Sequence, residues 1–218
     1  MDTIKNKFNS YRLIFWDFDG VIKDSVDIKT GAYCKLFQNA SVEVLEKIKR
    51  HHLVNGGISR YEKIPLYLEW SGRSLDLLEE FIQNFESLVV QTVISSDWIP
   101  GVEEIIRNNP YKQKFILVTG TPQSEIELIL KELKISNSFE DIYGAPFAKD
   151  IAIAISLTKF AIEKGDALLV GDSESDWKAA TKNGINFLLR NDDLGIEFVS
   201  KYTGDRIKDF TELDLNIK

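Results

Sequence analysis

Apolar residues along this chain fall into two kinds of run. The first kind is short and continuous. Tyr11 to Asp17, Phe115 to Val118, Ala167 to Val170 and Phe187 to Leu189 each gather hydrophobic residues, and polar ones follow. Runs of that length read as buried parallel strands, with Ile142–Tyr143 as a further short one. The second kind recurs at helical spacing. Ser41 is placed to cap Val42 to Leu53, where Val44, Leu45 and Ile48 share a face. Ser59 is placed to cap Arg60 to Trp70, with Glu62 three residues on as in a capping box. Ser74 precedes a long pattern from Leu75 to about Ile94, in which Leu77, Leu78, Phe81, Ile82, Phe85, Leu88 and Val89 repeat every three or four residues. With Val26 to Gln38, these segments make an all-helical block.

Beyond that block, strands and helices alternate. Helices are expected over Val102 to Asn108, Ser124 to Leu133, Ala152 to Lys164 and Trp177 to Asn183. Alternation of this kind predicts an α/β fold, a parallel sheet with helices on both faces. The expected organisation is a three-layer core over residues 1–24 and 96–218, with a helical domain over 25–95 inserted after the first strand.

Composition narrows the partners. The chain has 218 residues, 44% of them hydrophobic, enough for a sizeable core. Its net charge of −7 is spread along the sequence, which opposes nucleic acid as a partner. No apolar run approaches the roughly 20 residues that span a membrane. One cysteine, Cys34, allows no intrachain disulfide, and the polar start lacks a secretory apolar region; both suit a cytoplasmic protein. Only two histidines, the adjacent His51 and His52, are present, so zinc is a poor match. The abundant ligands are carboxylates, which favour a hard cation such as magnesium. Nothing in the sequence fixes the oligomeric state, and a monomer is the simpler expectation.

The chemistry concentrates where apolar runs end. Asp17 and Asp19 stand in Phe15-Trp16-Asp17-Phe18-Asp19-Gly20-Val21. Thr119 stands in Ile116-Leu117-Val118-Thr119-Gly120. Lys149 follows Pro146-Phe147-Ala148. Asp172 and Asp176 stand in Val170-Gly171-Asp172-Ser173-Glu174-Ser175-Asp176. Parallel strands deliver such side chains to one crevice at their carboxyl ends.

In that order and spacing, these segments resemble the haloacid dehalogenase superfamily in its helical-cap phosphatase branch. The resemblance covers nearly the whole chain. It implies a Rossmann-like core and a magnesium-dependent phosphatase acting on a small phosphorylated metabolite, a sugar or short-acid phosphate. Asp17 would be the nucleophile, forming an aspartyl-phosphate. Asp19 would serve as general acid and then base. Thr119 and Lys149 would hold the phosphoryl oxygens. The metal would take the carboxylates of Asp17 and Asp172 and the backbone carbonyl of Asp19, with Asp176 orienting a bound water. Substrate contacts would come from Gly20, Gly120, Gly57 and Arg60.

The segment Gly57-Ile58-Ser59-Arg60 resembles the cap loop of β-phosphoglucomutases, and it reads equally as a plain turn between two helices. His51, His52, Asn55 and Lys63 are expected at the surface, the alternative being that they line the mouth of the site beside this loop. The last motif departs from the mutases, which resemble Glu-Asp-Ser at the position of Gly171-Asp172-Ser173. That departure favours a hydrolase over a mutase. Receiver domains use similar residues, but with the acidic pair before the acceptor and no helical insertion. A dehalogenase needs no metal, which leaves Asp19, Asp172 and Asp176 unexplained.

Overall fold

The computed structural model describes residues 7–191 and 196–213. A six-stranded sheet, parallel at every pairing, has the order β3-β2-β1-β4-β5-β6. Its strands are β1 Leu13–Trp16, β2 Lys114–Pro122, β3 Asp141–Ala145, β4 Ala167–Gly171, β5 Asn186–Arg190 and β6 Arg206–Ile207. The helices are α1 Val26–Leu36, α2 Val42–Val54, α3 Arg60–Trp70, α4 Leu78–Ser95, α5 Val102–Asn108, α6 Gln123–Glu132, α7 Lys149–Phe160, α8 Glu174–Asn183 and α9 Glu197–Lys201. Thus α1 to α4 all fall between β1 and α5, and the expected α/β architecture with its helical insertion is present.

The period of two along the strands divides the interior into two cores. Leu13 and Phe15 of β1 join Ile116, Val118 and Leu169 in one core, covered by Ala152 and Ile153 of α7 and Ala179 and Ala180 of α8. Ile14 and Trp16 point the other way, toward Phe115, Leu117 and Val170, under Ile105 of α5 and Ile126 and Ile129 of α6. That second core continues without a break into the helical block, through Tyr33, Phe37, Tyr67, Phe81 and Phe85. Two antiparallel connecting segments join block and sheet. Asp24 N–H donates to the Asp97 carbonyl at 2.9 Å, and Ile99 N–H to the Ile22 carbonyl at 3.0 Å. The buried Lys23 spans this junction, donating to the Ile94 carbonyl at the end of α4 at 3.2 Å.

Several boundaries differ from the sequence expectation, each for a local reason. Ser41 and Ser59 cap α2 and α3 as expected. Ser74 instead caps a short 3-10 turn, Leu75–Leu77, because it and Asp76 bond each other; α4 starts only at Leu78. Helix α7 begins at Lys149 and stops at Phe160, where Ala161 turns left-handed with φ 49°. Strand β2 runs past Val118 to Pro122, with a register shift against β3 on the way. Strand β6 has two residues, too few to leave a pattern.

Candidate active site

Asp17 follows the last residue of β1, and its N–H donates to the Val170 carbonyl of β4 at 3.0 Å. Asp172 follows the last residue of β4. One turn into α8 comes Asp176, fully buried. The close passage of α8 requires Gly171: a Cβ there would lie 2.3 Å from that of Asp176. Carboxylate oxygens of Asp17, Asp172 and Asp176 all lie within 4.8 Å of one another. Ser173 fixes the third, its hydroxyl donating to Asp176 Oδ2 at 2.6 Å. Lys149, opening α7, reaches between two of the acids. Its Nζ lies 2.6 Å from Asp176 Oδ1 and 3.0 Å from Asp17 Oδ1.

One lysine does not offset three buried carboxylates. Burial pushes Asp17 up to about 7, Asp176 adds to the rise, and Lys149 opposes it. Burial also raises Asp172 well above the usual carboxylate range, with Asp17 and Asp176 contributing. Lys149 loses solvation too, but its two acid neighbours outweigh that and raise its pKa. Asp17 Oδ1 has only this Lys149 contact, and Oδ2 is buried with no partner. Leaving such an atom unpaired is costly. A donor set of clustered carboxylate oxygens, with no sulfur or imidazole, fits a hard divalent cation.

Asp19 faces different partners. Its carboxylate accepts from Ser25 Oγ at 2.6 Å, Lys29 Nζ at 2.5 Å and Thr121 Oγ1 at 3.1 Å. Burial alone would raise its pKa, but Lys29 and the hydroxyl donors outweigh burial and lower it. Its carboxylate therefore stands apart from the three-acid cluster. The loop between the two acids passes close to Asp172. Gly20 has φ 72°, and a Cβ on it would lie 2.4 Å from Asp172 Oδ2. Lys29 and Thr121 gave no sequence signal of a role here. Lys29 lies ten residues beyond Asp19 on α1, and Thr121 lies two residues beyond Thr119 on β2.

The loop between α2 and α3 sits directly on the strand ends. Gly57, at φ 75°, leaves no room for a side chain: a Cβ would lie 2.5 Å from Ser175 Oγ and 2.9 Å from Lys149 Nζ. Its carbonyl presses on Gly120, where a Cβ would lie 2.4 Å away. Ser175 Oγ donates to the Gly56 carbonyl at 2.9 Å. Two spaces meet at this contact. Outside is a groove of about 600 Å³, lined in part by Thr119, Phe147, Lys149 and Lys182. Inside is a cavity of about 50 Å³, with Asp19, Lys29, His52, Arg60, Lys63 and Asp172 in its wall. Thr119 is buried, and its hydroxyl accepts from Thr121 N–H at 3.2 Å.

Arg60 is buried and not free. Its Nη2 donates to Glu125 Oε1 of α6 at 2.6 Å, and its guanidinium lies 4.6 Å from the Phe85 ring. His52 and Lys63, expected at the surface, are 6% and 2% exposed. The reason is helical register: His52 lies four residues after the buried Ile48 on α2, and Lys63 lies three after the buried Arg60 and four before the buried Tyr67 on α3. Their Nδ1 and Nζ atoms are 3.0 Å apart. His51 points elsewhere, its Nδ1 3.0 Å from Tyr67 Oη, so the adjacent histidines share no ligand.

Comparison with known proteins agrees with this arrangement. The profile of the haloacid dehalogenase-like hydrolase family matches residues 14–189. A phosphoglycolate phosphatase of Pseudomonas savastanoi pv. phaseolicola is 28% identical over 186 residues, covering 80% of this chain and 67% of that one. Among solved structures, β-phosphoglucomutase from Clostridium difficile superposes with a TM-score of 0.71 at 20% identity, over 94% of this chain and 93% of that one. A haloacid dehalogenase-like hydrolase from Streptococcus pneumoniae superposes with a TM-score of 0.67 at 21% identity, over 91% and 93%. At such identities the superpositions speak for the fold. The family profile, spanning both aspartate motifs, speaks for kinship: the chain belongs to the haloacid dehalogenase-like hydrolase family.

Proposed function

We propose that the protein hydrolyses a small phosphate monoester, a short-acid or sugar phosphate, with magnesium, through a phosphoryl group carried on Asp17. The observation that carries this reading is the environment of Asp17. It is a buried carboxylate with one oxygen in ion-pair contact with Lys149 and the other without a partner, clustered with Asp172 and Asp176. The relative named for phosphoglycolate supports the short-acid half of the reading.

Magnesium would be held by Asp17, Asp172 and the backbone carbonyl of Asp19, with Asp176 behind them. When bound, it would neutralise carboxylate and phosphate charge. The protein's own groups do the rest. Asp17 attacks phosphorus, and the P–O bond to the leaving alcohol breaks. Lys149 and Thr119 hold the phosphoryl oxygens, Lys149 as a cation stabilising the charge that spreads over them. Asp19 would give a proton to the leaving oxygen, a role that requires it to part from Lys29, which here keeps the carboxylate ionised. In the second step it takes a proton from the water that attacks the phosphorylated Asp17. Gly20, Gly57 and Gly120 bring backbone close to the substrate, and Arg60 stands in the wall of the inner cavity.

In this reading residues 25–95 act as a cap on a core formed by 1–24 and 96–218, excluding water from the reacting group. The acceptor separates hydrolase from mutase, since the same phosphorylated aspartate could pass its group to a sugar hydroxyl. A panel of acid, sugar and nucleotide phosphates decides between them. Phosphate release is expected with magnesium, and its loss on exhaustive chelation with EDTA. Full activity after chelation, or transfer to sugar in place of release, would overturn the reading.

A further inference from the structure

The inner cavity holds two basic side chains that the proposed chemistry does not use. Lys63, on α3, meets His52 Nδ1 at 3.0 Å, and among the described residues no carboxylate pairs with it. That contact makes Nδ1 the acceptor, so a neutral His52 carries its proton on Nε2. The Val26 carbonyl is near enough to favour a proton on the ring, yet Nε2 is buried with no partner in hydrogen-bond geometry. The neighbouring charges are already committed. Arg60 is paired with Glu125, and Lys29 with Asp19. An amine and an N–H, both buried in one cavity wall and lacking an anion, form an incomplete site.

Resting on the phosphatase reading, we infer that Lys63 and His52 form an anion subsite that reads a carboxylate on a two- or three-carbon leaving group. The cavity they line also contains Asp19, the proposed acid for that leaving group, and Asp172. A leaving group that accepts the Asp19 proton therefore extends toward Lys63. The volume of about 50 Å³ has room for roughly three or four water-sized groups. That suits a short acid better than a hexose. Burial holds Lys63 down to about 7, with Lys29 adding to the effect, and an arriving carboxylate would favour its charged form. Arg60, with its charge already matched by Glu125, ties the block to the core rather than selecting the substrate.

The test compares 2-phosphoglycolate with ethyl phosphate, which has the same carbon count without the carboxylate. In wild-type protein with magnesium, kcat/KM should favour 2-phosphoglycolate by at least ~10-fold. The ratio should collapse toward unity in Lys63→Met and fall in His52→Phe. Because the ratio is taken within each variant, a partial loss of folded protein cancels. A wild-type ratio near one, or a ratio that survives Lys63→Met, overturns the subsite. Failure of the phosphatase reading looks different: neither ester turns over. Calorimetric binding of the same two esters to wild type and Lys63→Met then decides the subsite by itself. Stronger binding of 2-phosphoglycolate that is lost in the variant upholds it, and equal binding refutes it.

Discussion

Lys63 shows how strongly a single side chain is governed by what surrounds it. It is 2% exposed, and burial, then Lys29, brings its pKa down to about 7 from the ordinary 10.5. Between those two values the unfolded chain binds a proton that the folded chain does not. Stability contributed at this position therefore rises with pH across that window, and the cost of a buried charge is fullest below it. Replacing the amine with a thioether removes the cost. In the absence of ligands, Lys63→Met should stabilise the protein by about 3 kcal/mol more at about pH 6 than at about pH 9.5. Urea denaturation at the two pH values measures it; equal effects at both would show that the amine escapes its burial. The sequence could not disclose this. A lysine in a polar-looking helix turn is ordinarily solvated, and only the packing of α3 against α2 and the strand ends puts Lys63 inside. Asp17, Asp19, Asp172 and Asp176 were legible for the opposite reason: each comes within a few residues of the end of an apolar run, where parallel strands deliver side chains to one edge of the sheet. Arg60 was expected to contact substrate or to sit in a solvated first turn, and its burial was not legible. Nor was its partner Glu125, 65 residues further on.

Between elements, the Arg60–Glu125 pair is the contact to probe. It links α3 to α6 across the junction of helical block and core, with side chains 3% and 1% exposed. Burial raises the pKa of Glu125, and Arg60 works against that rise. Removing one partner strands the other charge in a dry place. Arg60→Met at about pH 8 should cost about 3–5 kcal/mol of stability. The double variant Arg60→Met with Glu125→Leu should recover much of the loss, because no buried charge is left unpaired. A double-mutant cycle by chemical denaturation checks this, and strictly additive losses would contradict it. The same element pair explains where boundary reading failed. Helical periodicity fixed the faces of α2, α3 and α4, but their ends were set by local side-chain bonds such as Ser74 with Asp76, and by the left-handed Ala161. Sheet order was likewise out of reach of pattern, since β1 pairs with β2 and β4 through crossovers that a linear reading does not rank.

At the scale of the whole molecule, two opposed cores hold β1 in the middle of the sheet, and everything proposed to react stands at one end of it. The second core runs unbroken into the helical block, so the roof of the site is packed as part of the same interior. Gly57 resting on Gly120 and Lys149 then brings that roof onto the lysine that pairs with Asp17 and Asp176. The central claim is that this junction exists to carry a phosphoryl group on Asp17. Its most direct test is the rate of phosphate release from 2-phosphoglycolate and p-nitrophenyl phosphate by wild type and Asp17→Asn, with magnesium. The carboxamide keeps the shape but is a poor nucleophile. The account predicts a loss of roughly 10³-fold or more on both substrates in a protein that denatures at least as late as wild type. An Asp17→Asn enzyme that keeps more than a few per cent of wild-type turnover would contradict it.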